Sequence, residues 1–239
     1  MIARRKPVMR LLSDADWAPE VADAIARDLA SSLMSRATTL ALSGGSTPEP
    51  IYKALSQHRL PWQELRLIQV DERDVPRDNP QRNWRMIERA FADVWSDVGE
   101  LRPMFAGPAA VDDSDFYDCQ IAAWLPIDVM VLGMGDDGHT ASLFPGEGLT
   151  ASALNVVSCP ARADRVARLS VGPDVIRRAR HVHLIARGAS KAQALLCLLQ
   201  PMGELELTPA RLILQSEGQV TLWFDTALRD AAAAAGAAL

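Results

Sequence analysis

The sequence predicts an α/β fold: a doubly wound, mostly parallel sheet with helices on both faces. Three observations lead there. Short runs rich in branched apolar residues alternate with longer segments of helical periodicity. The runs are apolar at consecutive positions, the pattern of strands covered on both faces. Glycine-rich or charged loops follow Leu42, Val70 and Leu132, at the strand ends where such sheets gather ligands.

The elements follow in order. Residues 8–12 read as the first strand. A helix spans residues 17–34, with Pro19 tolerated in its first turn. Its apolar stripe is Val21, Ile25, Leu29 and Leu33, one residue per turn. Residues 38–42 form a second strand and 48–57 a helix. A third strand, 65–70, leads into a polar loop and a helix over 83–94. Residues 113–125 are helical, 127–132 a strand, 181–185 another strand, and 189–199 a helix. Residues 211–215 and 219–224 are predicted as a small late β-hairpin turning at Glu217 and Gly218. The Ala-rich tail after Asp225 is predicted helical. With no repeat or linker, residues 1–239 are expected to form a single Rossmann-like domain.

Composition narrows the function. The 239 residues are 49% hydrophobic and 23% charged, which excludes a disordered, collagenous or disulfide-scaffold chain. A net charge of −5 argues against a nucleic-acid or anionic-membrane surface, which needs a basic footprint. It leaves room for a small anionic ligand held by a few local cations. Cys119, Cys159 and Cys197 are odd in number and lack a C-x-x-C spacing, as expected in a reducing compartment. The N-terminal segment is basic but has no signal-peptide apolar run, and no stretch approaches about 18 apolar residues. A cytoplasmic monomer or weak homo-oligomer is expected, without nucleic-acid or membrane partners.

Three loops carry the chemistry. Ser43, Gly44, Gly45, Ser46 and Thr47 connect a strand to a helix start at Pro48, with hydroxyls and free backbone amides that suit a phosphate. No Gly-Lys-Ser/Thr ending follows, so this is not a P-loop. After the third strand, Asp71, Glu72 and Arg73 offer two carboxylates and a guanidinium. A solvated loop of mutually neutralising charges is the plainer reading of this run alone; its place at the same strand ends favours function.

Gly133, Gly135 and Gly138 match G-x-G-x-x-G, but a dinucleotide site is rejected. Asp136 and Asp137 would repel a pyrophosphate, Pro145 and Gly146 leave little room for a crossover helix, and no ribose-binding acid stands at the expected distance. The glycines instead shape a turn presenting His139, a candidate general base. Asp71, Glu72, Asp136 and Asp137 are all candidates for orienting its imidazole, and the two aspartates next to Gly138 also suit a turn. His181 and His183 share a strand face, but no third ligand stands near them, so no metal is expected. His58 lies in a polar helix end.

Taken together, Ser43-Gly-Gly-Ser-Thr-Pro48, Asp71-Glu-Arg-Asp-Val-Pro76 with Asn83, and Gly133-Met-Gly-Asp-Asp-Gly-His-Thr-Ala-Ser-Leu-Phe-Pro-Gly146 resemble the 6-phosphogluconolactonase family, within the glucosamine-6-phosphate isomerase/6-phosphogluconolactonase superfamily. A looser match is Arg168-Leu-Ser with Gly188-Ala-Ser-Lys191. The resemblance implies a cofactor-independent hydrolase of 6-phospho-D-glucono-1,5-lactone in the oxidative branch of the pentose phosphate pathway. It implies that His139 is the catalytic base and that the Gly44-Gly45 loop, Arg73, Arg168 and Lys191 surround the sugar phosphate. Arg82 stands where the family usually has Ser before the residue matched to Asn83, which would bring an additional cation there.

Two other readings compete. A deaminase of glucosamine 6-phosphate would share the phosphate loop and the histidine, but the Ser142-Leu143-Phe144-Pro145 continuation favours the lactonase. A sugar-phosphate-binding regulator would normally append a DNA-binding segment, for which the first strand leaves little room.

Overall fold

The structure, a computed structural model, describes residues 6–33, 36–104 and 113–237. Its main sheet is built from β1 (Val8–Leu12), β2 (Thr38–Leu42), β3 (Leu65–Gln69), β5 (Glu100–Arg102), β6 (Val129–Gly133), β9 (His181–Ala186) and β10 (Gln219–Asp225), in the order β1-β10-β9-β6-β2-β3-β5. Every pairing is parallel. From β2 the chain winds outward through β3 to β5; from β6 it winds the other way through β9 to β10. The topological switch point therefore lies between β2 and β6, where open α/β sheets place a ligand crevice.

Consecutive burial along the central strands explains their unbroken apolar runs. All five residues of β2 are buried, as are Val129, Met130, Val131 and Leu132 of β6. One face is covered by α1 (Trp17–Leu33), α2 (Glu49–Leu55) and α3 (Asn83–Ala90). The stripe Val21, Ile25, Leu29 and Leu33 of α1 is buried there, each side chain contributing about 1.5–3 kcal/mol. The other face is covered by α4 (Asp113–Ala122), α5 (Pro173–Arg178), α6 (Ala192–Leu199) and α7 (Thr226–Ala234). Asp225 closes β10 and caps α7, its carboxylate accepting from Leu228 N at 2.9 Å. Among the described residues no helix is long and apolar enough to cross a membrane.

A second, antiparallel sheet joins β4 (Asp71–Arg73), β8 (Arg168–Val171) and β7 (Val156–Cys159), in the order β4-β8-β7. It was not predicted: the polar loop after β3 contains β4. Its register sets Asp71 opposite Ser170 and Arg73 opposite Arg168.

The predicted late hairpin is corrected. Residues Pro209–Gln215 form 3-10 turns, and β10 pairs in parallel with β1 on one side and β9 on the other. Both edges of β10 are thus taken, leaving no ladder for an antiparallel partner. Leu212 and Ile213 are buried in the core instead. Arg211 turns inward, donating to the carbonyls of Cys197, Leu198 and Gln200 at the end of α6. The apolar Leu-Ile-Leu run imitates a strand because it is core-facing, although its backbone is helical.

Candidate active site

The loops leaving β2 and β6 open side by side at the switch point, stitched by Ser43 N donating to Val131 O at 3.2 Å. They enclose a cleft of about 250 Å³ lined by residues 43–47, Arg73, Arg168, Lys191 and His139, with Asp71 and Asn83. Six segments scattered over the sequence thus meet in one space. Met134 and Ala141 of the glycine-rich motif also line it, as does Ile185 of β9, which carried no site signal in the sequence. Ala141 adopts a left-handed backbone, φ 50°, which costs an alanine about 1–2 kcal/mol.

The 43–47 loop is pinned from below. The buried Tyr52 hydroxyl of α2 donates to Ser43 O at 2.9 Å. Gly44 has no room for a side chain, since a Cβ would fall 1.7 Å from Asn83 Oδ1. Asn83 starts α3 and donates to Asp71 O at 2.9 Å and to Asp71 Oδ1 at 3.3 Å.

His139 is presented by the turn that follows β6. Its Nδ1 lies 2.6 Å from Asp137 Oδ1, which also accepts from the His139 amide at 3.0 Å. Gly135 permits this geometry: a Cβ there would sit 2.1 Å from His139 Nδ1 and 2.5 Å from Asp137 Oδ1. Burial pushes the Asp137 carboxyl up, but the hydrogen bonds from His139 prevail and bring it down to about 2. The carboxylate is therefore ionised near neutral pH and suited to hold a proton on Nδ1. Nε2 takes no protein partner among the described residues, and the imidazole lines the cleft.

The four carboxylates left open by the sequence now separate. Asp137 holds the imidazole. Asp136 pairs with Lys191 Nζ at 2.9 Å, and that hydrogen bond holds its carboxyl below the usual range against partial burial. Asp71 accepts from Ser142 Oγ at 2.7 Å and lies 3.8 Å from Arg168, bracing the cleft wall. Glu72 is fully buried away from His139. It accepts from the amides of Arg73, Asn83 and Trp84 at 2.8, 2.7 and 2.9 Å, tying β4 to the start of α3. Burial pushes its carboxyl up, opposed by those amides.

Arg82 corrects an expectation: it adds no cation to the cleft. It is buried beneath α3, where it donates to Val75 O at 3.2 Å and Met104 O at 2.7 Å.

Several buried atoms at the cleft lack protein partners among the described residues: Ser43 Oγ, Asn83 Oδ1, Arg73 Nε and Arg168 Nε. An unsatisfied buried polar group costs about 1–3 kcal/mol, so their concentration here marks a surface shaped for a polar ligand. Among the described residues no group of three His, Cys, Asp or Glu side chains is placed to hold a metal ion. His181 and His183 instead face Asp28 of α1.

A switch-point cleft with a His–Asp pair and a ring of cations defines an α/β protein suited to a small anionic ligand. Residues 13–223 match the family model for glucosamine-6-phosphate isomerases/6-phosphogluconolactonase, and the chain belongs to that family. It is 36% identical over 196 residues to the 6-phosphogluconolactonase of Synechocystis sp., covering 77% of this chain and 80% of that one. It is 34% identical over 210 residues to the 6-phosphogluconolactonase of Nostoc sp., covering 82% and 83%. Among solved structures, the 6-phosphogluconolactonase from Trypanosoma cruzi matches with a TM-score of 0.81 at 28% identity, over 94% of this chain and 96% of that one. The Shewanella baltica 6-phosphogluconolactonase shares the fold with a TM-score of 0.85 at 24% identity, over 93% and 99%.

Proposed function

We propose that the chain hydrolyses 6-phospho-D-glucono-1,5-lactone to 6-phospho-D-gluconate, the step of the oxidative pentose phosphate branch. The observation that carries this reading is the Asp137–His139 pair, open at Nε2, in the same cleft as the 43–47 loop and Lys191. The relatives at 36% and 34% identity are lactonases and support the choice of substrate.

In the proposed mechanism the phosphate docks among the 43–47 amides and hydroxyls, Lys191, Arg73 and Arg168. Its binding energy fixes the ring and brings the lactone carbonyl to His139. Neutral His139 takes a proton on Nε2 from the attacking water as the new C–O bond forms at C1. Asp137 stabilises the resulting imidazolium through Nδ1. Loop amides or a guanidinium hold the oxyanion of the tetrahedral intermediate. As the bond from C1 to the ring oxygen breaks, the imidazolium returns its proton to that oxygen, and the open-chain acid ionises. No step needs a redox partner or any co-substrate besides water.

The test is product formation from freshly generated lactone, with spontaneous ring opening subtracted. His139→Ala should lower kcat by about 10²–10⁴-fold, the usual worth of a positioned general base. An unchanged kcat removes His139 from the mechanism. Glucosamine 6-phosphate should release no ammonia; its release would favour the deaminase reading.

A further inference from the structure

A second cleft of about 270 Å³ adjoins the first and shares Arg73 and Arg168 with it, while Gln81 and Arg165 extend its polar wall. Three guanidinium groups thus border one space. The small sheet makes the crowding unavoidable, because Arg73 stands directly opposite Arg168 across β4 and β8. Like charges so placed destabilise a strand pair. Burial lowers the pKa of Arg168; Asp71 opposes this, and the charges of Arg73 and Arg165 add to it.

Protein groups answer only part of this charge. Glu147 pairs with Arg165, and Asp71 lies 3.8 Å from Arg168. Arg73 donates to a backbone carbonyl, Gln81 O, at 2.5 Å. The Nε atoms of all three arginines are buried without a partner among the described residues. Asp164 also borders the cleft, but its side chain is 78% exposed and 4.0 Å from Arg165, so solvent screens it.

This charge lies close to the proposed chemistry. The guanidinium carbon of Arg165 is 3.9 Å from the centroid of the Phe144 ring, and that ring is 4.5 Å from the imidazole of His139. One aromatic side chain therefore touches both the imidazole and the arginine cleft.

We propose that the arginine cleft is a second anion subsite and that Arg165 receives the carboxylate created by ring opening. The proposal rests on the lactonase reading. The lactone carries a single anionic group, its phosphate, whereas the product carries two. The phosphate stays with the 43–47 loop, Lys191, Arg73 and Arg168, the last two lining both clefts, and the planar fork of Arg165 pairs with the carboxylate. Open-chain phosphosugar acids then bind more tightly than sugar phosphates whose other end is neutral.

Calorimetric titration of the full chain tests this with 6-phosphogluconate and glucose 6-phosphate. The unsubstituted chain should favour 6-phosphogluconate by about tenfold, the contribution of one charge-assisted hydrogen bond. Arg165→Ala should erase that preference, and Arg165→Lys should retain part of it. Equal affinities in the unsubstituted chain, or a preference that survives Arg165→Ala, would show that the cleft is no such subsite. Equal weakening of both ligands in either variant would place Arg165 in the phosphate grip and overturn the assignment. Should Arg165→Ala fail to fold, Arg165→Lys decides by the same comparison. A chain that binds neither ligand before substitution defeats the lactonase reading itself.

Discussion

Two of the molecule's histidine–aspartate pairs, His139 with Asp137 and His183 with Asp28, do different things. At the switch point, His139 gives Nδ1 to Asp137 and leaves Nε2 to the cleft. Near the start of β9, His183 is buried with both ring nitrogens engaged. Its Nε2 lies 3.0 Å from Asp28 Oδ2, and its Nδ1 accepts from Trp223 Nε1 at 3.1 Å. An indole N–H can only donate, so the His183 ring proton sits on Nε2, facing Asp28. His181 Nδ1 lies 3.4 Å from the same carboxylate. The lesson is that a carboxylate beside an imidazole is not a catalytic signature. One pair spends both imidazole nitrogens on the fold; the other keeps a nitrogen open to a ligand.

The sharpest test of that contrast is Asp137→Asn. An amide donating to Nδ1 would move the ring proton to Nε2, converting the proposed base into a donor. We expect kcat to fall by about 10²-fold or more with the fold intact, and steady-state kinetics beside circular dichroism would check it. An unchanged kcat would make Asp137 as purely structural as Asp28. Gly135→Ala acts on the same geometry without touching either partner's chemistry. Its methyl would drive His139 and Asp137 apart, and about a tenfold to 10²-fold loss of kcat is expected.

At the other pair the effect should be on stability alone. Trp223→Phe strands the buried Nδ1 of His183 and should cost about 1–3 kcal/mol. That corresponds to a Tm lowered by about 2–4 °C per kcal/mol, with kcat unchanged. A kcat defect at native-like stability would break the separation between the two pairs.

The smallest effect concerns pH. Burial raises the Asp28 carboxyl, but its hydrogen bonds to His181 and His183 prevail and hold it well below its ordinary value of 3.8. A depressed carboxylate contributes stability above about pH 4 that is lost as pH falls. His181 is raised, chiefly by its hydrogen bond to Asp28, so its share is present below about pH 6.5 and lost as pH rises through the raised value. Urea midpoints measured from pH 3 to 8 should show both slopes. Asp28→Asn should flatten them, and unaltered slopes would place the titrating groups elsewhere.

Much of the frame was legible because buried parallel strands leave unbroken apolar runs. β2, β6 and β9 announced themselves in this way, and the 43–47 and 133–139 loops followed from their ends. The small sheet was illegible because Asp71-Glu-Arg73 has no apolar pattern; its pairing depends on β8, far away in sequence. For the same reason the sequence could not divide labour among the carboxylates. Glu72 and Asp137 both sit beside strand ends, and only the fold turns one toward the amides of α3 and the other toward an imidazole. Arg82 misled because a charged residue next to a site loop suggests a ligand contact, whereas here it satisfies buried carbonyls.

The three-residue pairing of β4 with β8 also governs timing. β4 follows directly on the central strand β3, but its partner comes only after β6 and β7. Closing so large a chain loop is entropically costly and yields its reward late. A nascent chain emerging from the ribosome could complete β2 and β3 while Arg73 still had no strand opposite it. Competence to hold a ligand thus waits for β8, and recovery of ligand binding during refolding should trail the first gain of secondary structure.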